Sequence, residues 1–133
     1  MSPLWRNVFS FKGILALMMS ALLLTSCEST QMAVETNTST TMTMKYAKFT
    51  GQKEKTIQVE DGRPLDVGFE VTTDAGQLDI SLTDEQGNHF YQGKQIQTSS
   101  FTVHLDQPGS YRVDVKGNQH KGGFAISWGS LKQ

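Results

Sequence analysis

Alternation of apolar and polar residues limits the fold of this chain more than any other feature of its sequence. From about residue 42 onward the alternation has a period of two, which places the apolar side chains on one face of an extended strand. No window in this region keeps a helical period. The pattern predicts seven strands, at residues 42–46, 57–59, 65–71, 78–82, 101–105, 111–115 and 124–128, and a weaker eighth at 90–96.

Turn-forming residues separate the predicted strands. Glycine and asparagine tolerate a positive φ, and proline presets φ at a turn. Such residues cluster at six breaks, which are 51–52, 61–64, 74–76, 84–88, 107–109 and 117–123. Short strands that are apolar on one face and joined by tight turns predict an all-β fold, a small antiparallel β-sandwich or barrel.

The first 26 residues have the composition of a secretory signal. Arg6 and Lys12 accompany an uncharged apolar run over residues 14–24, and no acidic residue occurs in this segment. As a helix the run spans roughly 16 Å, whereas the hydrocarbon core of a bilayer is roughly 30 Å thick. The run is therefore short for a membrane span and suits the core of a signal peptide.

The tetrapeptide that follows, Leu24-Thr25-Ser26-Cys27, resembles the lipobox of bacterial lipoproteins. The resemblance implies that diacylglycerol is joined to the Cys27 sulfur and that a signal peptidase cuts between Ser26 and Cys27. Two or three acyl chains hold a protein stably to a membrane. We expect an extracytoplasmic protein anchored in the cell membrane, or in the outer membrane of a two-membrane bacterium. The alternatives are an ordinary signal peptide before an unrelated cysteine, or an uncleaved anchor helix.

Serine and threonine dominate residues 27–41, and apolar residues are few there. Such a stretch buries too little surface to order itself. We therefore predict a flexible tether between the lipidated cysteine and a domain spanning residues 42–133. The alternative is that the last few residues of this stretch extend the first strand backwards.

Charge and cysteine content narrow the possible partners. The chain has a net charge of −1, which becomes −3 without the leader residues Arg6 and Lys12. Nucleic-acid-binding surfaces concentrate basic residues, so we expect no nucleic-acid partner. Cys27 is the only cysteine, so the domain must fold without an intramolecular disulfide. We expect a stable monomer.

Residues that carry chemistry form no recognisable catalytic or metal-binding pattern. The histidines show no metal-ligand spacing and are expected on the solvated surface: His89, His104 and His120. The oxygen-rich turn at 84–88 could bind calcium, but it lacks the alternating ligands of a dedicated calcium loop. No nucleophile elbow or phosphate-binding loop occurs. We expect no enzymatic activity, no cofactor and no metal.

The aromatic residues include one candidate for ligand contact. Tyr46, Tyr111 and Trp128 follow the apolar parity and are expected in the core. Phe90 and Tyr91 are adjacent, so on a strand one of them must face outward. We predict that Tyr91 is the exposed one and assign it a speculative ligand-binding role.

Two segments resemble part of a known class of domain. Residues 76–84 combine a glycine, an alternating strand and an aspartate turn, and residues 107–115 combine Pro-Gly-x-Tyr with a second alternating strand. This pattern is similar to the second half of jelly-roll β-sandwiches in extracellular bacterial proteins, such as carbohydrate-binding modules and pre-peptidase C-terminal domains. The resemblance implies a jelly-roll-like fold, and it transfers no binding residue because the sites of these families differ.

These features together predict a lipid-anchored binding or interaction module of the cell envelope, whose partner is a glycan or a protein. The alternatives are a carbohydrate-binding accessory module and a small envelope enzyme or inhibitor.

Overall fold

A computed structural model describes residues 28–129. Within that range the chain forms seven strands and no helix. The strands are β1 (Ser29–Gln31), β2 (Val34–Asn37), β3 (Thr41–Val59), β4 (Leu65–Asp84), β5 (His89–Gly93), β6 (Ser99–Leu105) and β7 (Gly109–Gly129). The predicted signal, the lipobox with Cys27, and residues 130–133 lie outside the described residues. A search of the described chain for a helix long and apolar enough to cross a membrane finds none.

Three long strands form the centre of the fold. β7 lies between β3 and β4 and pairs antiparallel with both. β1 and β2 extend the sheet beyond β3, while β5 and β6 extend it beyond β4. All the pairings are antiparallel.

The long strands bend midway and turn the sheet over on itself. The pairing register shifts between Tyr46 and Gly51 in β3 and between Thr73 and Gln77 in β4. Such bulges bend a strand and increase its twist. The bend divides the sheet into a first half-sheet, around residues 41–46, 65–73 and 122–129, and a second half-sheet, around residues 51–59, 77–84 and 109–118.

The inner faces of the half-sheets share one core. Phe69 of the first half-sheet and Tyr91 of the second have ring centroids 5.9 Å apart, and the Thr73 hydroxyl donates to the Ile96 carbonyl. The predicted core aromatics Tyr46, Tyr111 and Trp128 are buried, at 7%, 3% and 8% exposure. Each large apolar side chain buried here is worth about 1.5–3 kcal/mol. The structure confirms the predicted all-β, antiparallel β-sandwich.

Three of the six predicted turns are bends within strands. Residues 61–64, 84–88 and 107–109 connect strands as predicted, whereas 51–52, 74–76 and 117–123 lie inside β3, β4 and β7. Gly76 shows why: its φ is +75°, and a Cβ there would come within 2.0 Å of the Gln119 carbonyl oxygen. Glycine serves a turn and a bulge equally well, so its presence did not distinguish them. The weaker eighth strand is β5.

The segment predicted to be a tether differs from that description in the structure. β1 and β2 pair with β3 in one register, with Ser29 opposite Thr50 and Val34 opposite Lys45. All seven of their side chains are exposed. An edge strand needs only backbone hydrogen bonds to add to a sheet, so a polar segment can join one without burying a face. The alternative, that the last few residues extend the first strand backwards, holds only for Thr41, where β3 begins, and β1 and β2 instead pair with β3 as separate edge strands.

Candidate binding surface

Polar side chains cover the outer face of the second half-sheet. Along β3, β4 and β7 the period of two directs alternate side chains away from the core. The pairing register aligns the outward residues in three rows: Gln52–Lys116–Asp79, Glu54–Asp114–Ser81 and Thr56–Arg112–Thr83. We call these nine residues the polar face.

Asp114 lies at the centre of the polar face, and its side chain is only 11% exposed. Its two carboxylate oxygens accept hydrogen bonds from Gln52 Nε2 at 3.1 Å and from Arg112 Nε at 2.9 Å. A partly buried carboxylate is tolerated when such donors satisfy it. Asp114 therefore holds Gln52 and Arg112 in defined positions on the surface.

A groove of about 540 Å³ opens at the end of the polar face nearest the bend. Gly51 and Gly117 are paired in its floor. A Cβ on Gly117 would come within 2.3 Å of the Phe49 ring, so the close packing there requires glycine. Polar side chains surround the floor: Glu28, Thr50, Gln52, Gln77, Asp79, Lys116 and Asn118.

Glu28, the first described residue, forms part of this groove. Its side chain lies directly over Gly51, where an added Cβ would come within 2.5 Å of Glu28 Cγ. Pairing of β1 with β3 holds this part of the chain against the bend. The groove therefore lies one residue from Cys27 in the sequence.

Two further pockets extend the surface toward the turn at residues 84–88. A pocket of about 140 Å³ shares Asp79 and Lys116 with the first groove. Another of about 470 Å³ is lined by Thr56, Thr83 and Arg112. Because all three include residues of the polar face, they form a series along it that could accommodate an extended ligand.

The polar face offers hydrogen-bond donors and acceptors rather than stacking surfaces. Its amide, ammonium and guanidinium groups donate, and its carboxylates, amide oxygens and hydroxyls accept. None of the described residues lining the first groove is aromatic. Carboxylates outnumber cations over the polar face and groove, with Glu28, Glu54, Asp79 and Asp114 against Arg112 and Lys116.

A second groove, of about 600 Å³, lies on the outer face of the first half-sheet. Small residues, Gly123 and Ala125, form part of its lining. Met32 and Val34 from the edge of the sheet also line it, and they are 88% and 70% exposed. This groove is more apolar in character than the polar face.

The prediction that Tyr91 is the exposed member of its pair is wrong. Tyr91 is partly buried against the core and contacts the rings of Phe69 and Phe101, with centroid distances of 5.9 and 4.6 Å. Phe90 is the outward residue and is 39% exposed. The period of two requires that one of two adjacent residues face outward, but it does not say which one. Here the tyrosine faces inward because it packs against the aromatic cluster. Burial raises the pKa of the Tyr91 hydroxyl.

The prediction that His120 is a solvated loop residue is also wrong. His120 lies in β7 and is fully buried. Its Nδ1 lies 2.5 Å from the Tyr46 hydroxyl and its Nε2 lies 2.8 Å from Thr73 Oγ1. Burial lowers the pKa of His120 despite the attraction of Asp74, and burial raises the pKa of Tyr46. The glycines beside His120 suggested a hairpin loop, whereas the segment continues β7 through the bend.

His89 and His104 are exposed, as predicted. His104 Nδ1 lies 2.6 Å from Asp66 Oδ1, and this hydrogen bond raises the pKa of His104. Among residues 28–129, no three His, Cys, Asp or Glu side chains lie together as a metal site would require.

The oxygen-rich turn at 84–88 uses Asp84 to hold its own backbone. Asp84 Oδ1 accepts from the backbone N–H groups of Gln86 and Asn88, and Oδ2 accepts from the Asn88 side chain. These hydrogen bonds lower the pKa of Asp84. The carboxylate therefore acts in the turn as a structural acceptor.

The polar face itself was not predicted from the sequence. Its signal was present: in residues 52–58, 79–83 and 112–116 every outward position is polar. An ordinary solvated sheet has the same pattern. The register that aligns the rows, the buried Asp114 and the glycine floor appear only once the strands are paired.

Carbohydrate-binding modules are among the solved structures to which this chain is similar. The chain is similar to a CBM4 module at 10% identity and a TM-score of 0.41, covering 71% of this chain and 74% of the other. TmCBM61 in complex with β-1,4-galactotriose is similar at 13% identity and a TM-score of 0.41, covering 74% of this chain and 70% of the other. The module CBM6cm-2 from Cellvibrio mixtus lichenase 5A, in complex with cellotriose, is similar at 15% identity and a TM-score of 0.38, covering 77% of this chain and 86% of the other.

Identities this low and TM-scores below 0.5 say nothing about what this chain binds. No protein-family model and no curated protein matches the chain.

Proposed function

We propose that this chain is an exported, lipid-anchored and non-enzymatic module that binds a glycan of the cell envelope through the polar face. The leader and the lipobox at Leu24–Cys27 support export and anchoring. The polar face supports binding, because it is an open, preorganised surface with grooves along its length.

The arrangement around Asp114 carries this proposal. Sugar hydroxyls donate and accept hydrogen bonds, so a surface that binds sugar must present both kinds of group in fixed positions. Asp114 holds Gln52 and Arg112 in place, and the Asp79 carboxylate is held by a hydrogen bond from the Gln95 backbone N–H. The donors and acceptors are therefore positioned before a ligand arrives.

The charge of the surface restricts the glycan. Carboxylates outnumber cations over the polar face and its first groove. An acidic glycan would be repelled by them, whereas a neutral or amino-sugar glycan would not. We therefore assign the surface to neutral or amino-sugar chains bound by hydrogen bonds along the three pockets.

Retention on the producing bacterium's own insoluble envelope polysaccharide tests the binding. The mature lipoprotein in detergent is compared with a variant carrying Lys116→Ala and Asn118→Ala. A matched control carries Glu70→Gln and Thr72→Ala on the outer face of the first half-sheet. The proposal predicts that the wild type and the control are retained alike and that the first variant is retained about tenfold less, the effect of losing about 1.4 kcal/mol.

Two results would overturn the glycan assignment. One is equal retention of all three proteins, and the other is no retention of the wild type. Capture of a protein from the same envelope by the wild type and not by the polar-face variant would assign the surface to a protein partner instead.

Mass spectrometry of the native protein tests the anchoring separately. The expected product begins at Cys27 and carries acyl chains on that residue. A free thiol at Cys27, or a chain that still begins at Met1, would contradict it.

A further inference from the structure

The edge of the sheet that follows Cys27 is open on one side. β1 and β2 pair only with β3 among the described strands, and they keep one register across residues 32 and 33. Met32 lies at this interruption with a φ of +49°. The outer backbone groups of residues 29–37 therefore have no strand partner in the described chain. We call residues 29–37 the edge segment.

Two exposed apolar side chains lie on the edge segment. Met32 is 88% exposed and Val34 is 70% exposed. Among the described residues, Phe90 is the only other large apolar side chain that is exposed, at 39%. Isolated exposed apolar residues are common on protein surfaces. Two within three residues, with Ala33 between them and polar residues on either side, indicate a local apolar contact site.

The part of the chain that contains the edge segment is less negative than the rest of the domain. Residues 28–59 contain four lysines and three glutamates, a net charge of +1. Residues 60–129 contain five basic and ten acidic residues, a net charge of −5. Lys45 pairs with Val34 and Lys48 pairs with Gln31, which puts both lysines on the strand next to the edge. An anionic surface would therefore repel the domain least on this side, where Lys45 and Lys48 can face it.

Chain length limits how far the proposed anchor can lie from the edge segment. Cys27 precedes Met32 by five residues, and at about 3.3 Å per extended residue the separation is at most roughly 17 Å. The same spacing puts Val34 at most roughly 23 Å from Cys27. A lipid-bearing Cys27 would therefore be within this distance of both apolar side chains.

We infer that the edge segment rests on the membrane surface, with Met32 and Val34 at the headgroup boundary and Lys45 and Lys48 facing anionic lipid. This inference rests on the proposed anchoring through Cys27. Apolar side chains and lysines together are what an interfacial contact requires. The domain would then contact the membrane directly rather than through the predicted flexible tether. The first groove of the polar face, which Glu28 lines, would lie next to the bilayer.

Tryptophan fluorescence in vesicles with brominated acyl chains tests the seating. Val34→Trp places the probe on the edge segment, and Phe90→Trp is the matched control on β5. Both acylated proteins are reconstituted in phosphatidylglycerol and phosphatidylethanolamine vesicles, with far-UV circular dichroism to check the fold. Trp128 is buried and contributes the same background to both. The Val34→Trp emission is expected to fall at least twofold more than the Phe90→Trp emission.

Equal quenching of the two variants, with both acylated and folded, would overturn the seating while leaving the anchoring intact. Intact mass of the same samples separates the two claims, because an unacylated Cys27 would instead contradict the proposed function. The inference would also be overturned if the protein were a dimer in detergent without lipid and the Val34→Trp side chain were shielded from solvent there. That result would assign the edge to a second copy of the chain.

Discussion

The Tyr46 hydroxyl is hydrogen-bonded to His120 Nδ1, with 2.5 Å between the two atoms, inside the bend of the sandwich. His120 Nε2 donates in turn to Thr73 Oγ1, because the Thr73 hydroxyl hydrogen is used on the Ile96 carbonyl. Burial lowers the pKa of His120 and so favours the neutral ring, which carries its proton on Nε2 and accepts from the Tyr46 hydroxyl at Nδ1. The chain of hydrogen bonds joins β3, β7 and β4 where all three change direction.

Acidification is expected to destabilise the fold through His120. Burial lowers its pKa in the folded protein below the unfolded value of 6.5. The unfolded chain therefore binds more protons, and stability falls as the pH drops through and below 6.5. Thermal melts between about pH 7.5 and pH 5 should show a falling midpoint.

His120→Phe separates this effect from other titrations. The variant should lose about 1–3 kcal/mol at neutral pH, because Tyr46 and Thr73 lose a buried partner. Its midpoint should then depend less on pH than that of the wild type. A pH dependence unchanged from the wild type would contradict the assignment to His120.

His104 should respond to pH in the opposite direction. Its hydrogen bond to Asp66 raises its pKa above 6.5, so its contribution is complete at low pH and is lost as pH rises through the folded value. NMR titration of the imidazole protons should show a raised midpoint in the wild type and one nearer 6.5 in Asp66→Asn. The same midpoint in both proteins would count against the contact.

Two glycines with similar backbone angles should differ in their tolerance of alanine. Gly62 and Gly76 have φ values of +72° and +75°, but a Cβ meets nothing within 4 Å at Gly62 and the Gln119 carbonyl oxygen at Gly76. Gly62→Ala should cost only the left-handed penalty of about 1–2 kcal/mol. Gly76→Ala should cost about 1–3 kcal/mol more because backbone must move. Denaturant unfolding measures both, and equal losses would show that the bend does not need glycine.

Strand positions and core residues could be predicted because each depends on local alternation. Met42, Met44, Ile80 and Val113 follow the period of two, and all are buried. The sequence predicted less well which glycine-containing breaks are turns between strands and which are bends within a strand. Gly51 and Gly76 have the residue type of a hairpin turn, but they sit at bulges, and only pairing across the whole sheet distinguishes the two.

The site could be predicted less well than the fold because it depends on contacts distant in sequence. Tyr46 and His120 are separated by 74 residues, and Gln52 and Asp114 by 62. No local pattern signals such contacts. The choice between Phe90 and Tyr91 likewise depended on Phe69 and Phe101, which only the fold brings near.

Chemical-shift mapping tests most directly whether the polar face is the binding surface. Neutral oligosaccharides of the proposed envelope ligand are titrated into the ¹⁵N-labelled protein in detergent micelles. We predict saturable shifts at the side-chain amides of Gln52, Gln77 and Asn118 and at the backbone of Lys116, with none at Thr72 or Gly123 on the opposite outer face. Shifts confined to the opposite face, or none at any concentration, would contradict the account.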